Sequence, residues 1–364
     1  MSPQTQISVI VPCYNIKQYI DDCMDSILSQ KGEIENGFRV LCIDDGSSDG
    51  TSEILAKYAK KYPRIVYMPK HENRNYGVSV ARNLGLDNIT GETVMFVDGD
   101  DAIGGTETPH LTDRYFLENF YTTLKARPNT AMIVGSIVKF TGDEIVRTEH
   151  DVVSDNKLEK IKKGDPDFIR TFDFLDYRIS SCATLYRSDL INKYKLRFRS
   201  DMMYFEDAHF VMQYAFAAQR EREGEREQRY DYILNPTDTP ALYLYRTRPD
   251  SAISKLSNHS ESGMRHKEQL INCSRYYAYA LSEAENLFGI ESRIYHSFAR
   301  SWANKAESIL NKIHGDYIFD EPQLHQHVPR YCQDCNHRRL CPPLCSNLAT
   351  LRALVASINT PFTR

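Results

Sequence analysis

The sequence has no run of about 18 consecutive apolar residues, and no basic stretch leads into an apolar core near its start, so neither a spanning helix nor a leader is expected. An excess of positive charge is also missing. Lys and Arg number 45 against 49 Asp and Glu, a net charge of -4, so no bulk field would draw in a polyphosphate and nucleic acid is not an expected partner. Cysteine is sparse: nine in 364 residues are too few for a disulfide scaffold. Cys13, Cys23, Cys42, Cys182 and Cys273 sit in apolar or helical contexts where a thiol packs as a small hydrophobe. No G-x-G-x-x-G follows the first apolar run, which sets aside a dinucleotide-dependent oxidoreductase. What remains, 41% hydrophobic and 26% charged residues, is the composition of an ordinary globular protein with room for about two to three domains.

Short β-branched runs alternate with helical periodicity from the start. Ile7 to Val11 and Phe38 to Ile43 read as strands around a helix within Ile16 to Gln30. A helix over Thr51 to Lys61, a strand at Ile65 to Met68, a helix over Val78 to Asp87 and a strand at Thr93 to Val97 continue the alternation. Further on, Ala131 to Phe140 and Glu144 to Arg147 read as a hairpin, Cys182 to Tyr186 and Ala241 to Tyr245 as strands, and Phe205 to Ala218 as a helix. The expected fold class is α/β, a mostly parallel mixed sheet with flanking helices. An α-helical region follows from about 262, where strand signals cease. The charge run Arg220 to Arg229 reads as a solvated loop or helix end.

In such sheets ligands bind beyond the carboxyl ends of the strands. Three polar clusters fall there: Cys13-Tyr14-Asn15, then Asp44 to Gly50, then Asp98-Gly99-Asp100-Asp101. Crowded carboxylates repel unless a cation or donors offset them. Alternate aspartates after an apolar strand suit a hard divalent cation, Mg²⁺ or Mn²⁺, whose shell substrate phosphates complete. Tyr14 offers a ring to a base, and a carboxylate nearby can accept from a base N–H. A solvated acidic turn is the plainer alternative for each cluster taken alone.

Ser8 to Asn15 (SVIVPCYN), Ser26 to Gln30, Ile43 to Thr51 (IDDGSSDGT), Asn75 to Leu86 (NYGVSVARNLGL), Gly91 to Asp101 (GETVMFVDGDD) and Glu206 to Phe210 (EDAHF) stand in the order seen in family 2 glycosyltransferases. Over roughly residues 7 to 250 the chain resembles that family. The resemblance implies a GT-A type fold and inverting transfer of a sugar from a nucleotide donor, usually a uridine diphosphate sugar, to a hydroxyl of a glycan or lipid-linked glycan in surface polysaccharide biosynthesis. It makes Pro12, Tyr14 and Asp45 nucleoside contacts, Asp98 a contact to ribose or the metal shell, and Asp100 the direct metal ligand, with Asp101 assisting either. Arg82 falls where the family closes the donor site; pairing with an acidic strand-end residue is the equal alternative. The family's base position falls on Glu206-Asp207, with Asp207 first by register. Arg246 or Arg248 would neutralise the leaving diphosphate. For inversion by one displacement the base must lie across the sugar from the metal, a demand that a late helix can meet and Asp98 and Asp100 cannot.

The family's processive Gln-x-x-Arg-Trp pattern is missing. Domains are expected at 1–261, with a nucleotide-binding half to about 101 and an acceptor half after it, and at 262–364. The spacing Cys332-x2-Cys335-x5-Cys341-x3-Cys345, with His337 inside, suits a tetrahedral Zn²⁺, although its centre is shorter than in usual zinc modules; reduced cysteines in a Pro-containing loop are the other reading. Arg338-Arg339 and the apolar Leu348 to Ile358 suggest at most a peripheral membrane contact on an otherwise cytoplasmic protein. Two competing functions are transfer to a polyprenyl phosphate, which needs no strong base, and a non-catalytic nucleotide-sugar-binding subunit, which would show damage at the aspartates.

Overall fold

A computed structural model of the chain describes residues 5–69, 75–104, 114–142, 144–146, 180–224, 231–234, 242–248, 276, 279–280 and 282–289. The chain divides into two compact units. The first comprises Met1–Asp165, Ser180–Ser200 and Ala217–Ser254; the second comprises Pro166–Ile179, Asp201–Phe216 and Lys255–Arg364.

In the first unit, β1 (Ile7–Cys13) is buried at every position, as an unbroken apolar run requires of a strand covered on both faces. It pairs in parallel with β2 (Phe38–Asp44) from Ile7 opposite Phe38 to Cys13 opposite Asp44. β3 (Ile65–Pro69) adds to β2 in parallel, and β4 (Thr93–Phe96) lies along the other side of β1. β6 (Thr130–Val134), β9 (Thr184–Arg187) and β10 (Asp231–Leu234) complete a sheet ordered β10-β6-β9-β4-β1-β2-β3. Because β9 runs antiparallel to both β4 and β6, the sheet is mixed, as expected.

A second sheet, which the sequence does not announce, is ordered β5-β11-β7-β8, from β5 (Ala102–Gly104), β11 (Leu242–Arg246), β7 (Ser136–Thr141) and β8 (Glu144–Val146). Here the single arm expected over 131–140 is corrected: it is two strands in two sheets, parted at Gly135, whose N–H donates to the Ala183 carbonyl at 2.8 Å. Apolar periodicity is alike on both sides of Gly135, so it cannot reveal the change of sheet. The hairpin survives as β7 and β8. Residues 102–104 form β5, where Ala102 joins Val138, Phe140 and Leu244 in a small core.

The helices are α1 (Ile20–Leu28), α2 (Thr51–Lys61), α3 (Val78–Leu86), α4 (Phe116–Ala126), α5 (Ser188–Tyr194) and α6 (Glu206–Gly224). α1 starts later than its periodicity suggests, because Asn15 takes a φ of 50° and the Tyr19 N–H turns back to the Ile16 carbonyl. It then buries Ile20, Cys23, Met24 and Ile27. α3 lies tight on β1: a methyl group on Gly85 would stand 2.5 Å from the Ile10 side chain. In the second unit, residues 276, 279–280 and 282–288 are helical, in keeping with the expected helical region. Cys273, the four clustered cysteines and most of the region from 262 lie outside the described residues. No helix among the described residues is long and apolar enough to cross a membrane.

Candidate active site

The parallel register brings the ends of β1, β2 and β4 to one edge of the sheet. Two loops there brace each other. The Asn15 amide donates to Ser47 Oγ at 3.0 Å and its side-chain oxygen accepts from the Ser48 amide, while the Ile16 and Lys17 amides donate to Thr51 Oγ1 and Asp49 Oδ2. Asp49 also accepts from the Thr51 amide and hydroxyl, capping α2 from the position before its N-cap Gly50. Burial opposes ionisation of Asp49, but the Thr51 hydroxyl and the Lys17 and Thr51 amides outweigh it and hold the carboxyl below its usual range.

Neighbouring carboxylates in this loop differ. Asp44 is closed into the fold, accepting from the Ser47 amide and from the Ser52 and Tyr67 hydroxyls. Asp45, also buried, accepts at Oδ2 from the amides of Tyr76 at 3.0 Å and Gly77 at 2.7 Å. This ties the segment before α3 to the end of β2. Tyr14, by contrast, leaves 42% of its surface exposed at the same edge, while Pro12 is buried and its carbonyl accepts from the Gly99 amide.

The acidic turn follows β4. Arg82, on α3 and almost fully buried, donates to Asp98 Oδ1 at 2.8 Å, with its guanidinium 5.2 Å from the Phe198 ring centroid. Of the two readings that the sequence allowed for Arg82, pairing with a strand-end aspartate is therefore present. Gly99 has no room for a side chain: a methyl would meet Ile16 Cδ1 at 2.4 Å and the Pro12 carbonyl at 3.0 Å. Asp100 faces Arg248, Nε to Oδ2 at 2.8 Å, and both side chains stay partly exposed. Burial, and then the Asp98 charge, push the Asp100 carboxyl above its usual range against the pull of Arg248 and Arg246. Asp101 is 1% exposed and accepts from the Tyr243 hydroxyl at 2.7 Å and the Arg246 amide at 2.7 Å. Both of its oxygens are thus engaged inside the protein.

β11 and the two residues after it deliver three side chains that no motif flagged or only loosely flagged. The Tyr243 hydroxyl accepts from the Asp98 amide at 3.0 Å as it donates to Asp101. Arg246 donates from Nε to the Asp100 carbonyl and from a terminal nitrogen to Asp22 at 2.8 Å, with its guanidinium 4.4 Å from the Phe140 centroid and 5.0 Å from that of Tyr19. Arg248 lies 5.5 Å from the same Tyr19 ring. Tyr243 and Asp22 were not expected here. In the sequence Tyr243 reads only as an aromatic residue of an apolar strand, and Asp22 as an acid in the first turn of α1.

Glu206 and Asp207 open α6 in the second unit. Glu206 is 9% exposed; Asp207 is half-buried and accepts from the Ala208 amide at 2.8 Å. Phe205 before them has a φ of 65°, a left-handed conformation that costs a bulky residue of order 1–3 kcal/mol and needs surrounding packing to hold it. Its ring stacks on Tyr276.

Among the described residues no three or more His, Cys, Asp or Glu side chains are grouped to hold a metal ion. Asp98 and Asp100 nevertheless supply two hard oxygen donors whose mutual repulsion is visible in Asp100. That set fits a cation held jointly with substrate phosphates rather than in an all-protein cage. The four cysteines near the C-terminus lie outside the described residues, as does the arginine loop from residue 249.

A mostly parallel α/β sheet thus carries an acidic turn at its carboxyl edge, where α/β sheets bind ligands, countered by Arg82 from α3 and Arg248 from just beyond β11. The chain belongs to glycosyl transferase family 2, whose family model matches residues 8–250. It is 30% identical over 248 residues to the uncharacterised glycosyltransferase EpsJ of Bacillus subtilis, which covers 67% of this chain and 62% of that protein. Against glycosyltransferase GlyA of Streptococcus pneumoniae the identity is 30% over 197 residues, 53% of this chain and 26% of the relative. The chain thus spans less than two thirds of these relatives. Among solved structures, Staphylococcus aureus TarS 1-349 in complex with UDP superposes with a TM-score of 0.58 at 18% identity, covering 97% of this chain and 91% of that one. A longer TarS structure gives 0.60, with 55% of that chain covered. These likenesses show a shared fold.

Proposed function

We propose that the protein transfers a sugar, with inversion on a GT-A type fold, from a uridine diphosphate sugar to a hydroxyl of a glycan or lipid-linked glycan in surface polysaccharide biosynthesis. The observation that carries this reading is the turn in which Asp98 and Asp100 stay accessible and each is paired to an arginine, beside the exposed ring of Tyr14. Two relatives support the setting. One is named a poly(ribitol-phosphate) beta-glucosyltransferase, 36% identical over 99 residues, and another the minor teichoic acid biosynthesis protein GgaB, 28% identical over 242 residues. The TarS structure contains UDP.

In this reading Tyr14 stacks on the base, with Pro12 and Asp45 shaping its pocket. Asp98, oriented by Arg82, faces ribose, and Asp100 with Asp98 would hold Mn²⁺ or Mg²⁺, which would neutralise charge on the diphosphate. Arg248 is the mobile counter-charge: it leaves Asp100 for the departing diphosphate, while Arg246 stays anchored by Asp22 and the Asp100 carbonyl. Asp207 accepts the proton of the acceptor hydroxyl as its oxygen bonds to the anomeric carbon and the bond from that carbon to the diphosphate breaks. Glu206 supports the same helix start.

Asp100→Ala tests the core of this reading by isothermal titration of UDP with and without Mn²⁺. The variant should stay folded and lose about tenfold or more of the Mn²⁺-dependent affinity. Metal-free affinity should not fall, since Arg248 is released. Undiminished Mn²⁺ dependence would overturn the assignment.

A further inference from the structure

Tyr243, the second residue of β11, is fully buried, and its hydroxyl sits between the two ends of the acidic turn, accepting from the Asp98 amide at 3.0 Å and donating to Asp101 Oδ2 at 2.7 Å. Three residues of that turn are tied to β11: Asp98 and Asp101 through Tyr243, Asp101 again through the Arg246 amide, and Asp100 through Arg246 Nε to its carbonyl. The residue between, Gly99, is pressed onto the β1 end with no room for a side chain. The turn therefore has little freedom of its own. Its geometry is imposed from the second sheet, and Arg248 follows two residues beyond the end of β11.

We propose that Tyr243 is a positioning residue for cation and diphosphate binding, its hydroxyl setting the turn so that Asp98 and Asp100 present their carboxylates together. This rests on the reading of that turn as the donor site. A phenol suits the task because its ring is locked by packing, and with no surface exposed, water cannot readily take over the hydroxyl's two bonds. Removing such a partner behind metal ligands typically costs 10–100-fold in metal affinity.

Tyr243→Phe keeps the ring and deletes only the hydroxyl. UDP affinity of the full chain, titrated with and without Mn²⁺, should show the Mn²⁺-dependent part weakened about tenfold or more and the metal-free part unchanged, alongside a lower melting temperature. A purely structural hydroxyl would lower the melting temperature and leave the Mn²⁺ dependence as in the parent, and that result overturns the positioning role. If the parent itself binds UDP equally with and without Mn²⁺, the donor-site reading falls and the proposal falls with it. Should Tyr243→Phe fail to fold, Asp101→Asn disturbs the same link from its other end, and parental Mn²⁺ dependence in that variant is equally fatal.

Discussion

Aspartates that look alike in sequence are separated by what donates to them. Asp44 and Asp101 have both oxygens engaged by groups of the fold, whereas Asp98 and Asp100 meet arginines and keep surface toward solvent. No spacing rule distinguishes these roles, because donors such as Tyr243, Arg246 and Arg248 lie far along the chain from the aspartates they meet. Asp207 belongs to the same scale. An ordinary aspartate is a weak base near neutrality, so its benefit lies in accepting a proton as the attacking oxygen loses it, typically worth about 10² to 10⁴ in rate. Asp207→Asn should lower kcat by about that factor while UDP affinity and its Mn²⁺ dependence stay as in the parent. Parental turnover in Asp207→Asn with an inactive Glu206→Gln would move the role to the neighbour.

At the scale of elements, the site edge is built from loops that hold one another rather than from any one of them. The β1–α1 and β2–α2 loops exchange bonds through Asn15, Ser47, Ser48, Asp49 and Thr51, and the acidic turn lies against the β1 end. Gly99→Ala probes that contact. Ile16 Cδ1 is the far end of a flexible side chain and can move, but the Pro12 carbonyl is backbone, so the added methyl should act as overpacking and cost about 1–3 kcal/mol in urea denaturation. A variant as stable as the parent would mean that the turn is looser than its contacts indicate. The strands and helices up to β4 were legible because their apolar periods are unbroken. β5, the division at Gly135 and the role of β11 were not, since short strands in two sheets share one period.

The whole molecule carries a concentrated acidic load at this edge, and that sets its response to pH. Burial first, then neighbouring aspartate charges, raises the Asp100 and Asp101 carboxyls above the ordinary value of 3.8. Between that value and the raised one the folded state binds more protons than the unfolded chain, so the contribution of these groups to stability falls as pH rises through that window. A cation with a nucleotide sugar offsets the same charge. The thermal stabilisation of the protein by a UDP-sugar with Mn²⁺ should therefore grow as pH rises from about 4 toward 7, approaching about 2.7 kcal/mol when the ligand is at about 100 times its Kd. Stabilisation of constant size across that range would show that the aspartates are not what the ligand meets.

The sequence by itself determined the alternation of strands and helices over the first hundred residues, the edge at which polar clusters gather, and the family. Those properties follow from local period and from motifs whose residues are neighbours in the chain. Tertiary structure alone decided that Arg82 serves Asp98, that Arg248 rather than Arg246 is the arginine on Asp100's carboxylate, and that Tyr243 and Asp22 belong to the site at all. Each is a pairing between distant segments, and a buried carboxylate or guanidinium acquires its role from whichever partner the packed sheets bring within hydrogen-bond reach.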